Sequence, residues 1–250
     1  ERMTMQLSLL NQSKVDIKIG DCRQILAQMP DQSVHTCVTS PPYFGLRDYG
    51  VDGQIGLEHT PDAFVAELVA VFREVRRVLR DDGTLWLNLG DSYYNYRPGK
   101  GQSLVKQTVS TTDQDLPQNC ARRGNKQAGL KEKDLIGIPW RVAFALQADG
   151  WYLRQDIIWN KPNPMPESVR DRCTKSHEYI FLLTKKPKYY FNNEAIKEPV
   201  KEDWGTRDRS DGKYHNEGSG LQPHSGLEKS YEMANKRSVW TVTTKPFKGA

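Results

Sequence analysis

Two consecutive prolines set the first hard limit on what this chain can fold into. Pro41 and Pro42 follow the apolar run Val34-His35-Thr36-Cys37-Val38, which has the composition of a buried strand. Proline holds φ near about −65° and lacks a backbone donor, so neither a helix nor a β-ladder continues through the pair. The strand must end at Thr39-Ser40-Pro41-Pro42-Tyr43, a stiff turn with bare carbonyls and then an aromatic ring. In open α/β sheets, ligands sit beyond the carboxyl ends of the strands. A rigid turn in that place, with acceptors and a stacking face, suits a planar group that bears amino hydrogens. An ordinary Pro-Pro turn whose tyrosine packs on the core has the same local sequence, so the surrounding segments decide between the two.

Upstream, Asp16-Ile17-Lys18-Ile19 alternates and predicts a short strand ending at Gly20. Asp21 then stands at a helix start, either as an N-cap or as a ligand-facing carboxylate. Residues 22–29 predict a short helix closed by Pro30-Asp31. Strand, helix and strand with tight connections is the βαβ pattern of a parallel sheet. Downstream of Tyr43 lies a long aromatic loop with Gly45, Gly50, Gly53 and Gly56, which also carries Arg47. Thr60-Pro61 starts a helix, and Phe64, Leu68, Val71, Val75, Val78 and Leu79 recur at helical spacing. Arg76, Arg77 and Arg80 crowd its last turn, where the helix dipole favours cations, and Asp82-Gly83 is expected to end it. Residues 84–90 predict a third strand ending at Gly90-Asp91, which sets a second carboxylate beside Ser40 if the strands are parallel.

Periodicity vanishes over residues 96–133, read as a flexible basic insertion containing Arg122 and Arg123. From 94 to 133 there are eight Lys/Arg against three Asp/Glu, a composition that fits phosphate contact and a merely solvated loop equally. Residues 139–147 predict a helix with Trp140, Ala143, Phe144 and Leu146 inward. Residues 151–159 predict a strand running into a proline-stiffened loop with Lys161, and residues 178–184 predict the next strand. Tyr189-Tyr190-Phe191 reads as an antiparallel return, giving a hairpin at one sheet edge. Residues 199–238 are polar, with Trp204, Tyr214 and Tyr231 among Arg207, Arg209, Lys213, Lys236 and Arg237. Aromatics among cations serve base stacking and phosphate contact, although a solvated excursion has the same composition. Residues 239–250 return to the core through Val239-Trp240-Thr241-Val242.

These 250 residues fit one large domain or one and a half typical ones, with a core expected over 14–95 and 134–198. A net charge of +5 is compatible with a polyanion partner without requiring one. Cys22, Cys37, Cys120 and Cys173 are widely spaced, so no zinc site is expected and a reduced cytoplasmic setting is the default. There is no apolar run long enough for a membrane span, no P-loop, no H-E-x-x-H and no G-x-G-x-x-G. The chain starts at Glu1, as expected of a processed product or a piece of a longer protein.

Taken together, Gly20-Asp21, the Thr39-Ser40-Pro41-Pro42-Tyr43 turn, the segment up to Asp91, Ile157-Ile158-Trp159-Asn160-Lys161 and residues 178–184 resemble the amino-directed DNA methyltransferases. The order, with the catalytic motif early and a variable basic stretch late, resembles their β group, over roughly residues 15–93 and 134–195. The resemblance implies a mostly parallel, Rossmann-like α/β sheet with an antiparallel hairpin, S-adenosylmethionine as cofactor and double-stranded DNA as substrate. It implies that Ser40, Pro41, Pro42 and Tyr43 are catalytic. The Ser40 hydroxyl and the Pro41 carbonyl would accept the hydrogens of an exocyclic amino group, and Tyr43 would stack on the flipped base. Asp21, Thr39, Ser40, Pro41 and Asp91 would line the cofactor cleft. Arg47, Arg122, Arg123, Lys161, Arg207, Arg209, Lys213, Lys236 and Arg237 would meet DNA, with residues 199–238 as the target-recognition region. Ser before Pro-Pro goes more often with N4 of cytosine than with N6 of adenine. A second copy of the chain and a restriction endonuclease are candidate partners.

Two rival classes share features of this pattern: a non-catalytic DNA-binding module of the same fold, and an amino-methyltransferase acting on protein glutamine. The β group's Phe-x-Gly-x-Gly cofactor loop is absent from these residues. Most of the donor's pocket is therefore expected after Ala250 or on another chain. Residues 1–250 alone should bind S-adenosylmethionine weakly or not at all, and isothermal titration showing micromolar binding would contradict that.

Overall fold

The computed structural model describes residues 15–94, 129–200 and 232–244. In chain order these form helix α1 (Cys22–Gln28), strand β1 (Val34–Thr39), helix α2 (Pro61–Val78), β2 (Leu79–Leu89) and α3 (Ile138–Ala148). They continue with β3 (Tyr152–Asn160), β4 (His177–Thr184), a 3-10 turn (Glu194–Ile196), β5 (Glu198–Pro199), β6 (Met233–Ala234) and β7 (Val239–Thr241). The main sheet has the order β1-β2-β4-β3-β7, and β5 pairs with β6 in a separate ribbon. β1 runs parallel to β2, and β3 parallel to β7, whereas β4 is antiparallel to both β2 and β3. One strand therefore runs against the other four, and the sheet is the mostly parallel α/β kind expected.

The antiparallel element does not lie where the sequence placed it. β4 is interior, between β2 and β3, rather than part of an edge hairpin. Tyr189-Tyr190-Phe191 forms no strand. Its rings lie against other side chains instead: Phe191 stacks on Trp86 at 6.4 Å, and the Arg154 guanidinium sits 5.7 Å over the Tyr189 ring. The expected strand at Asp16–Gly20 is also absent. Ile17 and Ile19 are exposed and pair with no strand among the described residues, so the alternation has no ladder to join.

α2 follows its sequence signals closely. The Thr60 hydroxyl accepts from the Ala63 amide at 3.0 Å and Pro61 occupies the first turn. Phe64, Leu68, Val71, Phe72, Val75 and Val78 form its buried stripe. The helix ends at Val78 rather than at Asp82-Gly83, because β2 begins directly at Leu79. Arg77 in the last turn donates to the carbonyls of Leu26 and Met29, satisfying the free end of α1. In α3, Trp140, Ala143 and Leu146 face inward, but Phe144 is exposed, although its ring rests against Trp140.

Strand alternation sorts the sheet into two faces. Leu85, Leu87 and Leu89 of β2, with Phe181 and Leu183 of β4, pack with α2 and α3 in one core. Trp86 and Asn88 of β2, and Glu178 and Ile180 of β4, point the other way. That second face holds the polar groups at the carboxyl end of β1 and β2.

Candidate active site at the end of strand β1

Because β1 and β2 are parallel, Ser40 and Asp91 do lie at the same end of the sheet. The Pro-Pro turn leaves Ser40 exposed and Tyr43 half-buried. The loop after it is pinned back on the turn: the Gly45 amide donates to the Gly56 carbonyl at 2.6 Å. Gly56 has φ of +107°, and a Cβ there would come within 3.1 Å of the Tyr43 carbonyl oxygen and 3.3 Å of the Pro42 Cβ. Glycine is needed at that crossing for both reasons. Phe44 and Ile55 are buried in the core, which anchors the two sides of the loop.

Tyr43 is the hub of the site. Its ring lies against Gly90, where an added Cβ would stand 2.5 Å from Tyr43 Cε2. Its hydroxyl meets Asn88 Oδ1 at 2.9 Å and Glu178 Oε2 at 3.0 Å, and the Ser40 hydroxyl donates to it at 3.3 Å. Asn88 Nδ2 donates to the same Glu178 oxygen at 3.2 Å and to the Tyr179 carbonyl at 3.0 Å. Glu178 Oε1 is ion-paired with Lys161, whose ammonium also sits 4.4 Å over the Trp159 ring. Burial pushes the Tyr43 hydroxyl up to about 12, and the neighbouring Glu178 carboxylate acts in the same direction. Tyr43 is therefore a neutral phenol at physiological pH.

The two candidate cofactor carboxylates carry structural duties. Asp21 is the N-cap of α1, accepting from the Arg23 amide at 2.8 Å, and it is also ion-paired with the Arg23 guanidinium. Hydrogen bonds from Arg23 hold its carboxyl below the usual aspartate range. Arg23 continues to Glu67 of α2 and to the Gly53 carbonyl, so this pair ties α1 to α2 and the glycine-rich loop. Asp91 Oδ1 accepts from the amides of Ser92, Gly137 and Ile138 at 2.9–3.1 Å. It thereby covers the first amides of α3, where Gly137 itself offers no side chain. Asp91→Ala should lower stability by about 0.5–2 kcal/mol, the usual range for a lost cap. Urea unfolding of the variant against wild type checks this, and an unchanged midpoint would mean that the cap contributes nothing.

The residues assigned to DNA divide into three groups. Arg47 is exposed on the glycine-rich loop and makes no ion pair among the described residues. Lys236 and Arg237 both pair with Glu198 at the small β5–β6 ribbon. Lys161 faces inward to Glu178, an arrangement the sequence did not suggest. Arg122, Arg123, Arg207, Arg209 and Lys213, with the 96–133 insertion and most of the 199–238 region, lie outside the described residues.

Asn88 and Glu178 escaped the sequence reading, and Lys161 was expected to meet DNA rather than Glu178. A signal existed for the first two: Asn88 is the one polar residue in Leu85-Trp86-Leu87-Asn88-Leu89, and Glu178 is the one carboxylate in the mostly apolar β4. Polar groups in such positions need partners, and here they partner each other. Among the described residues no cluster of His, Cys, Asp or Glu is placed to hold a metal ion, and no helix is long and apolar enough to cross a membrane.

The family described as DNA methylase matches residues 34–246. The Type II methyltransferase M.XycI of Xanthomonas campestris pv. cyanopsidis is 48% identical over 231 residues, covering 92% of this chain and 65% of that protein. M.SmaI of Serratia marcescens, also a Type II methyltransferase, is 47% identical over 234 residues, covering 94% and 68%. The solved PvuII DNA methyltransferase, described as cytosine-N4-specific, aligns with a TM-score of 0.47 at 16% identity, covering 71% of this chain and 51% of that one. The chain thus spans about two thirds of the length of these curated relatives. With a family match that includes the Pro-Pro turn, both sheet-end carboxyl strands and β7, this chain belongs to the DNA methylase family.

Proposed function

We propose that the protein transfers a methyl group from S-adenosylmethionine to an exocyclic amino nitrogen of a flipped base in double-stranded DNA, with N4 of cytosine favoured over N6 of adenine. The observation that carries this reading is the Ser40 hydroxyl, exposed at the carboxyl end of β1 on a proline-stiffened turn in a chain of the DNA methylase family. The serine before Pro-Pro supports the choice of cytosine.

An amino nitrogen on a pyrimidine or purine is a poor nucleophile, because its lone pair is delocalised into the ring. The Ser40 hydroxyl and the Pro41 carbonyl are acceptors for its two hydrogens. Accepting them localises the lone pair and orients it, so catalysis rests on orientation and preorganised polarity. Asn88 and Glu178 immobilise Tyr43, and Tyr43 in turn holds Ser40. The Tyr43 ring, spent on Gly90 along one side, borders the turn as the surface against which the base is laid.

S-adenosylmethionine supplies an electrophilic methyl group when bound. The donor set here fits part of it: Thr39 and Ser40 bring hydroxyls, and the Asp21 carboxylate keeps about a third of its surface open while bound to Arg23. Carboxylates and hydroxyls suit the amino and hydroxyl hydrogens of an adenosine group. Of the described cations assigned to DNA, Arg47 makes no ion pair among the described residues and Lys236 and Arg237 share Glu198, and the remaining phosphate contacts would fall to the basic stretch at 96–133 and to cations of the 199–238 region. Methyl incorporation into duplex DNA by the full-length protein, with and without Ser40, tests the reading.

A further inference from the structure

The described site accounts for how a base nitrogen is aimed, but not for where its proton goes. Exocyclic nitrogen begins with two hydrogens and, once it carries a methyl group, holds one proton too many. That surplus proton is strongly acidic, because only its loss restores conjugation of the lone pair with the ring. Ser40 is an alcohol and is no sink for it. Next to Ser40, however, the hydrogen bonds form a directed chain. The Ser40 hydroxyl donates to Tyr43 Oη at 3.3 Å, and the single Tyr43 hydroxyl hydrogen has Glu178 Oε2 in reach at 3.0 Å and Asn88 Oδ1 at 2.9 Å, of which only the carboxylate can take up a proton. Each donor in that chain is also the acceptor of the link before it.

We propose that Glu178 is the terminal proton acceptor of the methyl-transfer reaction, reached from the target amino group through the Ser40 and Tyr43 hydroxyls. The proposal rests on the amino-methyltransferase reading above and deepens it. The bookkeeping closes without any further reactant. The nitrogen lone pair forms the N–C bond to the methyl group. The C–S bond breaks and its electron pair stays on sulfur, which becomes a neutral thioether. The surplus proton moves from nitrogen to Ser40 Oγ as the Ser40 proton moves to Tyr43 Oη and the Tyr43 proton moves to Glu178. The carboxylate becomes a carboxylic acid, both hydroxyls end as they began, and Glu178 later returns its proton to solvent.

Three features of the surroundings fit this role. Tyr43 is half-buried and remains a phenol, so it passes a proton on without storing charge. Glu178 is itself largely shielded, with 18% of its side chain exposed, which leaves the hydroxyl chain as its link to the turn. Its other oxygen is ion-paired with Lys161, and Asn88 donates to the oxygen that receives the proton. The charged and titratable groups facing Glu178 are thus Lys161 from the end of β3 and Tyr43 from the turn. As it acts through Tyr43 and Ser40, Glu178 is a positioning residue with an acceptor's chemistry.

The test uses full-length protein, duplex DNA and labelled S-adenosylmethionine under single-turnover conditions. Glu178→Gln keeps the hydrogen-bonding shape but removes the acceptor, and Tyr43→Phe keeps the ring on Gly90 but cuts the chain in the middle. Both should slow methyl transfer by about 10²-fold, the lower end for general acid–base assistance. DNA affinity, and the fluorescence of 2-aminopurine at the target position, should stay at wild-type values. The solvent deuterium isotope effect of the wild type should change in both variants, and Glu178→Asp should recover part of the rate. Wild-type rates in Glu178→Gln would overturn the relay. So would a loss of rate that follows a matching loss of DNA binding and base flipping with the isotope effect unchanged, since that describes scaffolding alone. Absence of methylated DNA from the wild-type protein would remove the reading beneath the proposal, and the relay with it.

Discussion

Ser40→Ala should reduce methyl incorporation into duplex DNA by about 10²–10³-fold, the range for removing one preorganised polar group from a reacting centre. The side chain is exposed, and its one hydrogen bond among the described residues is the 3.3 Å contact to Tyr43. Stability should therefore change by no more than about 0.5 kcal/mol, as for other surface positions. DNA retention should persist, because the cations proposed to meet phosphates lie elsewhere. This combination separates the enzyme from a non-catalytic DNA-binding module of the same fold. Filter binding and label transfer on one preparation measure both quantities. Incorporation unchanged by the substitution would remove Ser40 from the reaction.

Gly90→Ala is expected to damage both the fold and the reaction. A Cβ at this position would stand 2.5 Å from Tyr43 Cε2 and 2.9 Å from Cδ2, closer than carbon atoms approach. The ring must move, and its hydroxyl then leaves Asn88 and Glu178. Overpacking of this kind costs about 1–3 kcal/mol. A displacement of about 1 Å at a positioning group lowers rate by about 10²-fold. Thermal unfolding and single-turnover kinetics should thus both change, in contrast to Ser40→Ala, where only the rate falls. A Gly90→Ala protein with wild-type rate and stability would show that Tyr43 need not sit where it does.

Much of the frame was legible in the sequence because local signals agreed with tertiary packing. Thr60-Pro61 and the stripe from Phe64 to Val78 define α2 from residues alone, and the core uses the same stripe. Pro41-Pro42 locates the end of β1 because proline forbids continuation. Elsewhere the local signal lacked its partner. Asp16-Ile17-Lys18-Ile19 has the alternation of a strand, but a strand also requires a neighbour to pair with, and alternation does not supply one. Tyr189-Tyr190-Phe191 has strand-forming residues, yet Phe191 stacks on Trp86 and the chain turns into the 3-10 segment. The interior place of β4 was not readable either, since sheet order depends on contacts between distant segments.

The site divides in the same way. Ser40 and Tyr43 stood out through the turn that holds them. Asn88, Glu178 and Lys161 come from β2, β4 and the loop after β3, and only folding brings them to Tyr43. Asp91 lies at the same sheet end as Ser40, whereas Asp21 follows no strand, and sequence could not show that each is occupied with a helix start. A carboxylate after a strand has two good uses, and here the capping use is visible in the hydrogen bonds.

The most direct measurement of the central claim is nucleoside mass spectrometry of duplex DNA after incubation with the full-length protein and methyl-labelled S-adenosylmethionine. The Ser40-Pro41-Pro42-Tyr43 turn predicts label on an exocyclic amino nitrogen, as N4-methylcytosine, and its disappearance in Ser40→Ala. Label on cytosine carbon, or no label on DNA at all, would contradict the account.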